Sequence, residues 1–181
     1  MKKEELTQLP KETLSSLLDI CRRNWRSVDG RWFLAVEDSC GLERATEIDC
    51  DVWSQLGKVT AGRLQKAFSL GEGIPALAKA LELDPGFLYY EYIVKQTSQT
   101  TAIWRVTSCL AQEGRIKSGR ELLDCRRLDE PYLTNCAQVF CPGIRVRCEF
   151  CPPERHSADV WCEWHFSLEG EAQGGKRGEA R

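Results

Sequence analysis

The spacing of apolar residues predicts a long helix near the start of the chain. Between residues 10 and 40, apolar side chains recur at steps of three and four residues, as on one face of an amphipathic helix. The repeating positions are Leu14, Leu17, Leu18, Cys21, Trp25, Val28, Trp32 and Val36. Pro10 suits the first turn of such a helix, and Gly41 is well suited to end it.

Two further helices are expected before the pattern changes. The second starts near Asp49 or Asp51, carries apolar side chains inward and stops at Gly71. A short third helix follows Pro75, and residues 84–86 read Asp-Pro-Gly, which is typical of a turn.

The second half of the chain shows the alternation of β-strands. Residues 87–96 are rich in aromatic and β-branched side chains, and residues 101–110 alternate between apolar and polar. Two more strands are expected at 144–150 and 159–168, with a helix from about Glu130 to Phe140 before them.

Helices followed by strands predict an α+β fold, in which N-terminal helices pack on an antiparallel sheet that ends in a hairpin. We expect one domain over residues 1–169, with a helical part at 10–83 and a strand-rich part at 87–169. The Gly-rich and charge-rich tail at 170–181 is expected to be disordered.

Composition excludes several classes of protein. The net charge of −2 gives no electrostatic footprint for nucleic acid, and the apolar runs are too short to cross a bilayer. The charged N-terminus is not followed by the apolar segment of a signal peptide. We therefore expect a cytoplasmic protein that binds neither nucleic acid nor a membrane, in a reducing compartment where stable disulfides are uncommon.

Ten cysteines are many for such a chain. Without disulfides they are core residues, metal ligands or reactive thiols. Cys21 falls on the apolar stripe of the first helix, and we interpret it as a small buried residue. Cys40 and Cys50 lie near helix ends and carry no spacing signal, and we interpret all three as structurally incidental.

The sharpest motif is Cys148-Glu-Phe-Cys151, followed by Pro152-Pro153. A Cys-x-x-Cys turn allows two thiolates to reach one tetrahedral ion, usually zinc. A thioredoxin-like redox pair is the rival interpretation. It normally sits at a helix N-terminus, and two prolines there remove backbone donors, which disfavours a helix start.

Strand alternation brings a third cysteine toward this pair. If 144–150 and 159–168 form a hairpin, Cys148 and Cys162 point into the same interior, and Cys151 can turn toward them. The fourth ligand is either Cys125 or His156. The alternatives are an Fe–S cluster, which four cysteines also suit, or reduced core thiols without a metal.

Most of the chain, up to about residue 169, resembles an uncharacterised family of small bacterial cytosolic proteins. The segments that carry this resemblance include Asn24-Trp25, Asp29-Gly30, Trp32-Phe33, Val36-Glu37, Arg147-Cys148, Cys151-Pro152-Pro153 and Trp161-Cys162-Glu163-Trp164. The resemblance implies no known activity.

The C-terminal half is more distantly similar to the 4-vinyl-reductase-like sensor domain, which binds small molecules. The zinc motif of that group is a Cys, then Glu-x-x-Cys, then a Cys, and it implies Cys125, Cys148, Cys151 and Cys162 as the ligands. Cys148 stands where the sensors have Glu, and a thiolate can replace a carboxylate at zinc. This resemblance implies a zinc-containing small-molecule-binding domain, with a sensor role for an apolar or aromatic ligand.

The segment Cys162-Glu163-Trp164-His165-Phe166 also looks like the last strand of the aminothiazoline-carboxylate hydrolase family. That resemblance implies the alternative of a hydrolase for a small heterocyclic, amide-like substrate. A redox or Fe–S protein is a second alternative.

Aromatic residues suggest where a planar ligand would bind, if helices cover the sheet. The candidates for this pocket are Trp25, Trp32, Phe33, Glu37, Trp53 and Trp104. The competing interpretation is that the aromatic side chains fill the core and that Glu37 is solvated. Cys109 is a weak candidate nucleophile because Arg105 and Arg115 lie nearby, and alternation places it on the face opposite Trp104.

Two features suggest interaction surfaces. The apolar stripe of the N-terminal helix would suit a homodimer interface, although it could equally be internal core. Arg145 and Arg147 alternate along one strand and form a small cationic strip, a pattern also common on the solvated side of an edge strand.

Overall fold

The computed structural model describes residues 3–87, 90–154 and 159–168. The chain divides into two compact units, an N-terminal unit at Met1–Ala45 and a C-terminal unit at Thr46–Arg181. The predicted tail at 170–181 lies outside the described residues. None of the helices in the described part of the chain is both long and apolar enough to span a lipid bilayer.

Helical residues dominate the first part of the chain. A short helix, α1 (Lys3–Leu6), precedes α2 (Lys11–Phe68), which contains one non-helical residue, Gly41, with φ 83° and ψ 162°. The predicted first helix and its end at Gly41 are therefore confirmed. The helix resumes directly after Gly41, because a single glycine can adopt the left-handed conformation that breaks it. The prediction that the second helix starts near Asp49 or Asp51 is therefore wrong.

In the N-terminal unit, four large residues of the apolar stripe of α2 are exposed to solvent. Leu18 and Trp32 are each 70% exposed, Val28 is 65% exposed and Trp25 is 46% exposed. Cys21, which we interpreted as a small buried residue, is also exposed.

The next helix and turn match the predictions closely. Helix α3 (Gly73–Leu83) begins two residues before Pro75, which was expected to precede it, and Pro85–Phe87 form a 3₁₀ turn. The backbone N–H of Gly86 donates to the Asp84 carboxylate at 2.7 Å, which fixes this turn.

Four strands form one antiparallel sheet in the order β1-β2-β4-β3. They are β1 (Tyr90–Gln96), β2 (Thr101–Cys109), β3 (Ile144–Phe150) and β4 (Cys162–Leu168). The predicted α+β class, the antiparallel sheet and the pairing of the last two strands are confirmed. Strand β4 begins three residues later than expected.

Two helices connect the two halves of the sheet: α4 (Leu110–Lys117) and α5 (Cys125–Phe140). The predicted helix at 130–140 begins earlier because the Asp124 carboxylate accepts hydrogen bonds from the backbone N–H groups of Arg126 and Arg127. Pro131 therefore lies inside α5 and cannot donate to the Arg127 carbonyl. That carbonyl instead accepts from the Cys50 thiol at 3.1 Å.

The core of the C-terminal unit lies between the sheet and the helices α3 and α5. Trp104, Trp164 and Phe166 cover the inner face of the sheet and are at most 1% exposed. Leu77 and Leu81 of α3, and Leu133 and Phe140 of α5, belong to the same cluster. Burial of these large side chains is the main stabilising contribution to this unit.

A buried cysteine cluster as candidate metal site

The sequence singled out four cysteines, here called the cysteine cluster: Cys125, Cys148, Cys151 and Cys162. They lie at the start of α5, near the end of β3, directly after β3 and at the start of β4. All four are buried, with exposures of 9%, 7%, 1% and 4%. The fold thus brings residues from three elements into one interior region.

Backbone and side-chain hydrogen bonds hold this region together. The backbone N–H of Cys125 donates to the Pro152 carbonyl at 3.1 Å, which joins the start of α5 to the turn after β3. Gln112 is fully buried, and its amide Nε2 donates to the Cys125 sulfur at 3.0 Å and to the Leu123 carbonyl at 2.9 Å. The Cys148 and Cys151 side chains hydrogen-bond to each other.

Gln112 is a residue of this region that the sequence did not single out as part of the site. Its amide oxygen also accepts from the Leu123 backbone N–H at 3.0 Å, so both ends of the amide are used. No sequence motif predicts this role for Gln112, because its contacts with Leu123 and Cys125 depend on how α4 packs against the segment before α5.

Burial raises the pKa of every thiol in the cysteine cluster. Neighbouring groups add to this effect, since charge on Cys151 and on Asp129 further raises the pKa of Cys162. Burial and the nearby Asp49 also raise the pKa of Asp129, to about 7. The thiols are therefore protonated at neutral pH unless a cation lies among them, because only a positive charge would stabilise several buried thiolates.

The side chains are not arranged as a formed metal centre. Within residues 3–87, 90–154 and 159–168, no three or more His, Cys, Asp and Glu residues form a group that could hold a metal ion. His156, the alternative fourth ligand, lies outside the described residues. Zinc binding by the cysteine cluster stays a prediction.

Cys109 lies on the inner face of the sheet, contrary to simple alternation. In the β1-β2 ladder, Tyr92 pairs with Val106 but Glu91 pairs with Ser108, so Thr107 is an extra residue in β2. Such a bulge reverses the alternation beyond it, and Cys109 becomes 5% exposed and part of the core. Burial raises its pKa to about 12, so the thiol is protonated at neutral pH.

The residues of the predicted ligand pocket fall in both units. Trp25, Trp32, Phe33 and Glu37 belong to the N-terminal unit, whereas Trp53 and Trp104 belong to the C-terminal unit. Within the C-terminal unit, the Trp53 ring contacts Tyr132 edge-on at 5.7 Å between centroids. The pocket as a whole stays a prediction.

Trp104 lies at the centre of an aromatic cluster in the core. It is fully buried and stacks on Phe87, with ring centroids 4.4 Å apart, while Tyr90 and Tyr92 pack edge-on against it. Its indole Nε1–H has no hydrogen-bond partner in the described part of the chain. A buried donor without an acceptor is costly, so this atom marks a place where an acceptor would be favourable.

Comparison with known proteins places the chain in a family but gives no activity. The model of a family of unknown function, DUF6125, matches residues 7–168, and the chain belongs to that family. Neither a search of the curated proteins nor a search of the solved structures found a match. The likeness to the 4-vinyl-reductase-like sensors and to the aminothiazoline-carboxylate hydrolases stays a hypothesis.

Proposed function

We propose that this family member is a zinc-containing domain that binds a small apolar or aromatic molecule. The observation that carries the proposal is the burial of all four cysteines of the cluster where α5, β3 and β4 meet. Cysteines scattered over the surface would not suggest a shared metal ion. Four thiols from three elements are the donor set that a structural zinc ion uses.

The donor set fits the metal chemically. Zinc prefers sulfur ligands and binds thiolates, so its charge would offset the burial that otherwise keeps these thiols protonated. Side-chain rotations would have to bring the four sulfur atoms to a common centre. The bound ion would then cross-link α5 to the β3-β4 hairpin and stabilise the folded chain.

The binding of a small molecule is supported by the aromatic cluster around Trp104. Flat side chains stack well on planar apolar ligands. If the packed rings of this cluster separated to admit a ligand, the unpartnered indole N–H of Trp104, which is 0% exposed, would gain an acceptor from a carbonyl, ether or ring nitrogen. The ligand we propose is therefore planar and apolar, with one hydrogen-bond acceptor.

The alternatives have weaker support. A hydrolase that uses Cys109 would need a base, since that thiol has a pKa of about 12. A redox pair at Cys148 and Cys151 would normally be exposed and have a lowered pKa, whereas both thiols are buried with a raised pKa. An Fe–S cluster uses the same four ligands, and visible absorbance distinguishes it from zinc.

We propose further that the chain forms a homodimer through α2. The exposed apolar residues Leu18, Trp25, Val28 and Trp32 belong to a heptad stripe, which also includes Leu14, Cys21 and Ala35. Successive residues of the stripe are alternately four and three positions apart, which gives an average period of 3.5 residues. Two helices that supercoil around each other require this period. The four exposed residues present on the order of 500 Å² per chain, so that two copies would bury about 1,000 Å², the lower limit for a specific interface.

The test of zinc binding is elemental analysis of the purified protein and two variants. The wild type is expected to carry about one zinc ion per chain, and Cys162→Ala is expected to lose most of it. Cys136→Ala is the matched control, because Cys136 is equally buried in α5 but lies outside the cluster. A wild type without zinc, or a Cys162→Ala variant that keeps it, would overturn the proposal.

Because the thiols have raised pKa values, zinc uptake must release protons. Zinc affinity should therefore fall as the pH decreases, which a titration with a competing chelator measures.

The proposed cytoplasmic location, on which reduced thiols depend, stays a prediction.

A further inference from the structure

The outer face of the sheet, opposite the core, carries a groove with a basic lining. It has a volume of about 560 Å³ and runs over β2, β4 and β3. Its polar lining residues are Thr97, Thr101, Arg145, Arg147, His165 and Ser167. We call it the arginine groove. No carboxylate is among the described residues that line it.

The strand register explains why these side chains lie together. Arg145 pairs with Ser167, and Ser167 pairs with Thr101 on the next strand. Two residues further along β3, on the same face of the sheet, Arg147 pairs with His165. Directly paired residues on neighbouring strands are about 5 Å apart, so two rows of donors cross the same face.

Two carboxylates that contact lining residues of the groove are engaged in ion pairs. Glu163 accepts from Arg105 at 2.6 Å and contacts Nε2 of His165 at 2.7 Å. Burial alone would raise the pKa of Glu163, but the hydrogen bonds to His165 and Arg105 lower it on balance, so this carboxylate is ionised at neutral pH. Glu149, on the edge strand β3, forms an ion pair with Arg147.

These contacts orient the basic groups toward the groove. With Nε2 bound to the carboxylate of Glu163, the imidazole of His165 turns Nδ1 toward the Arg147 guanidinium, 3.4 Å away. The Arg147 side chain is 63% exposed and retains donors for a ligand, because a guanidinium carries five N–H groups.

We propose that the arginine groove binds a small molecule through a carboxylate or phosphate group. Guanidinium groups match the planar or tetrahedral oxygens of such anions, and the hydroxyl group of Ser167 supplies a further donor. Ile103 in the lining would contact a short apolar part of the same molecule. This site is separate from the cysteine cluster and does not depend on zinc.

The test is a titration with inorganic phosphate and, separately, with succinate, at constant ionic strength. The imidazole NMR signals of His165 are the readout. They are assigned with a His156→Asn variant, because the chain has only two histidines. We expect a saturable shift with a Kd of about 1 mM for at least one anion, and the stronger of the two identifies the ligand as a phosphate or a carboxylate.

An Arg145→Gln/Arg147→Gln double variant should raise that Kd by about tenfold or more, since it removes both guanidinium groups. Lys95→Gln is the control, because Lys95 is exposed on β1 and does not line the groove. Circular dichroism verifies that each variant is folded. If neither anion gives a saturable shift, or if the double variant binds as tightly as the control, the proposal is wrong.

Discussion

Asp84 and Tyr132 form a buried polar pair that helps to define the core of the C-terminal unit. Asp84 is 1% exposed, and the Tyr132 hydroxyl donates to its carboxylate at 2.7 Å. Burial raises the pKa of Asp84, and the bonds from Tyr132 and Gly86 partly offset that increase. Because the folded-state pKa is raised, the ionised carboxylate becomes a cost to stability as the pH rises past its ordinary value of 3.8.

Removing the Tyr132 hydroxyl should therefore destabilise the protein more at high pH than at low pH. Tyr132→Phe leaves the ionised carboxylate with one donor fewer, and we expect a loss of about 1–3 kcal/mol at pH 7.5. The loss should be smaller near pH 4, where protonation of Asp84 increases. Urea unfolding of the wild type and of Tyr132→Phe at pH 7.5 and at pH 4 measures the loss of stability at each pH.

Tyr92→Phe is the control for this prediction. Its hydroxyl donates to the carbonyls of Leu81 and Glu82, which do not titrate, so its effect on stability should change little with pH. Equal losses at both pH values in Tyr132→Phe would contradict the account of Asp84.

At the level of elements, α2 and α5 approach each other closely at Gly57. A Cβ atom placed on Gly57 would lie 2.5 Å from the backbone carbonyl oxygen of Tyr132, and backbone atoms of a helix cannot easily move away. The glycine is thus required by the packing of two helices, although in the sequence it only lowers helix propensity.

Gly57→Ala should destabilise the C-terminal unit by about 1–3 kcal/mol, because of this overlap. Gly62→Ala, five residues further along α2, is the matched control. Nothing lies within 4 Å of its added methyl group, so we expect an increase in stability of about 0.4–1 kcal/mol. Thermal unfolding of the two variants would contradict the helix contact if both changed stability in the same direction.

The sequence predicted elements well where the hydrophobic period was regular. Strand 144–150 was predicted with the bounds that the structure has, and the end of the first helix at Gly41 was correct. The early start of α5 was missed because Asp124 competes with Pro131 as the signal for a helix start. The orientation of Cys109 was wrong because the bulge at Thr107 leaves no mark in the alternation of β2.

The cysteine cluster was predictable only in part. Spacing within the hairpin pointed to Cys148, Cys151 and Cys162, and the structure buries all three. The role of Gln112 beside Cys125 could not be foreseen, since it arises from a contact between segments 13 residues apart in sequence. Long-range contacts of this kind are set by tertiary packing rather than by local pattern.

For the whole molecule, the proposed dimer makes the exposed heptad stripe the main determinant of assembly. Val28→Glu places a charge in the proposed interface and should shift the chain toward monomer, as sedimentation equilibrium measures. Ile20→Glu is the matched control, because Ile20 is 52% exposed on the same helix but lies off the stripe. A wild-type monomer, or equal effects of both variants, would contradict the proposal.

A parallel, in-register pair of helices also makes a prediction about Cys21. This exposed thiol occupies a core position of the heptad stripe, so the two copies should meet across the interface. Mild oxidation should give a cross-linked dimer that disappears in Cys21→Ser and persists in Cys40→Ser. Cross-linking through Cys40 instead would indicate a different register.

The measurement that tests the central claim most directly is X-ray absorption at the zinc edge of the purified protein. We predict a first shell of four sulfur atoms at about 2.3 Å, which corresponds to the four thiolates of the cysteine cluster. A shell of three sulfur atoms with one nitrogen would replace Cys125 by His156 as the fourth ligand. Absence of bound zinc, or a shell dominated by oxygen and nitrogen, would contradict a cysteine-bound metal centre.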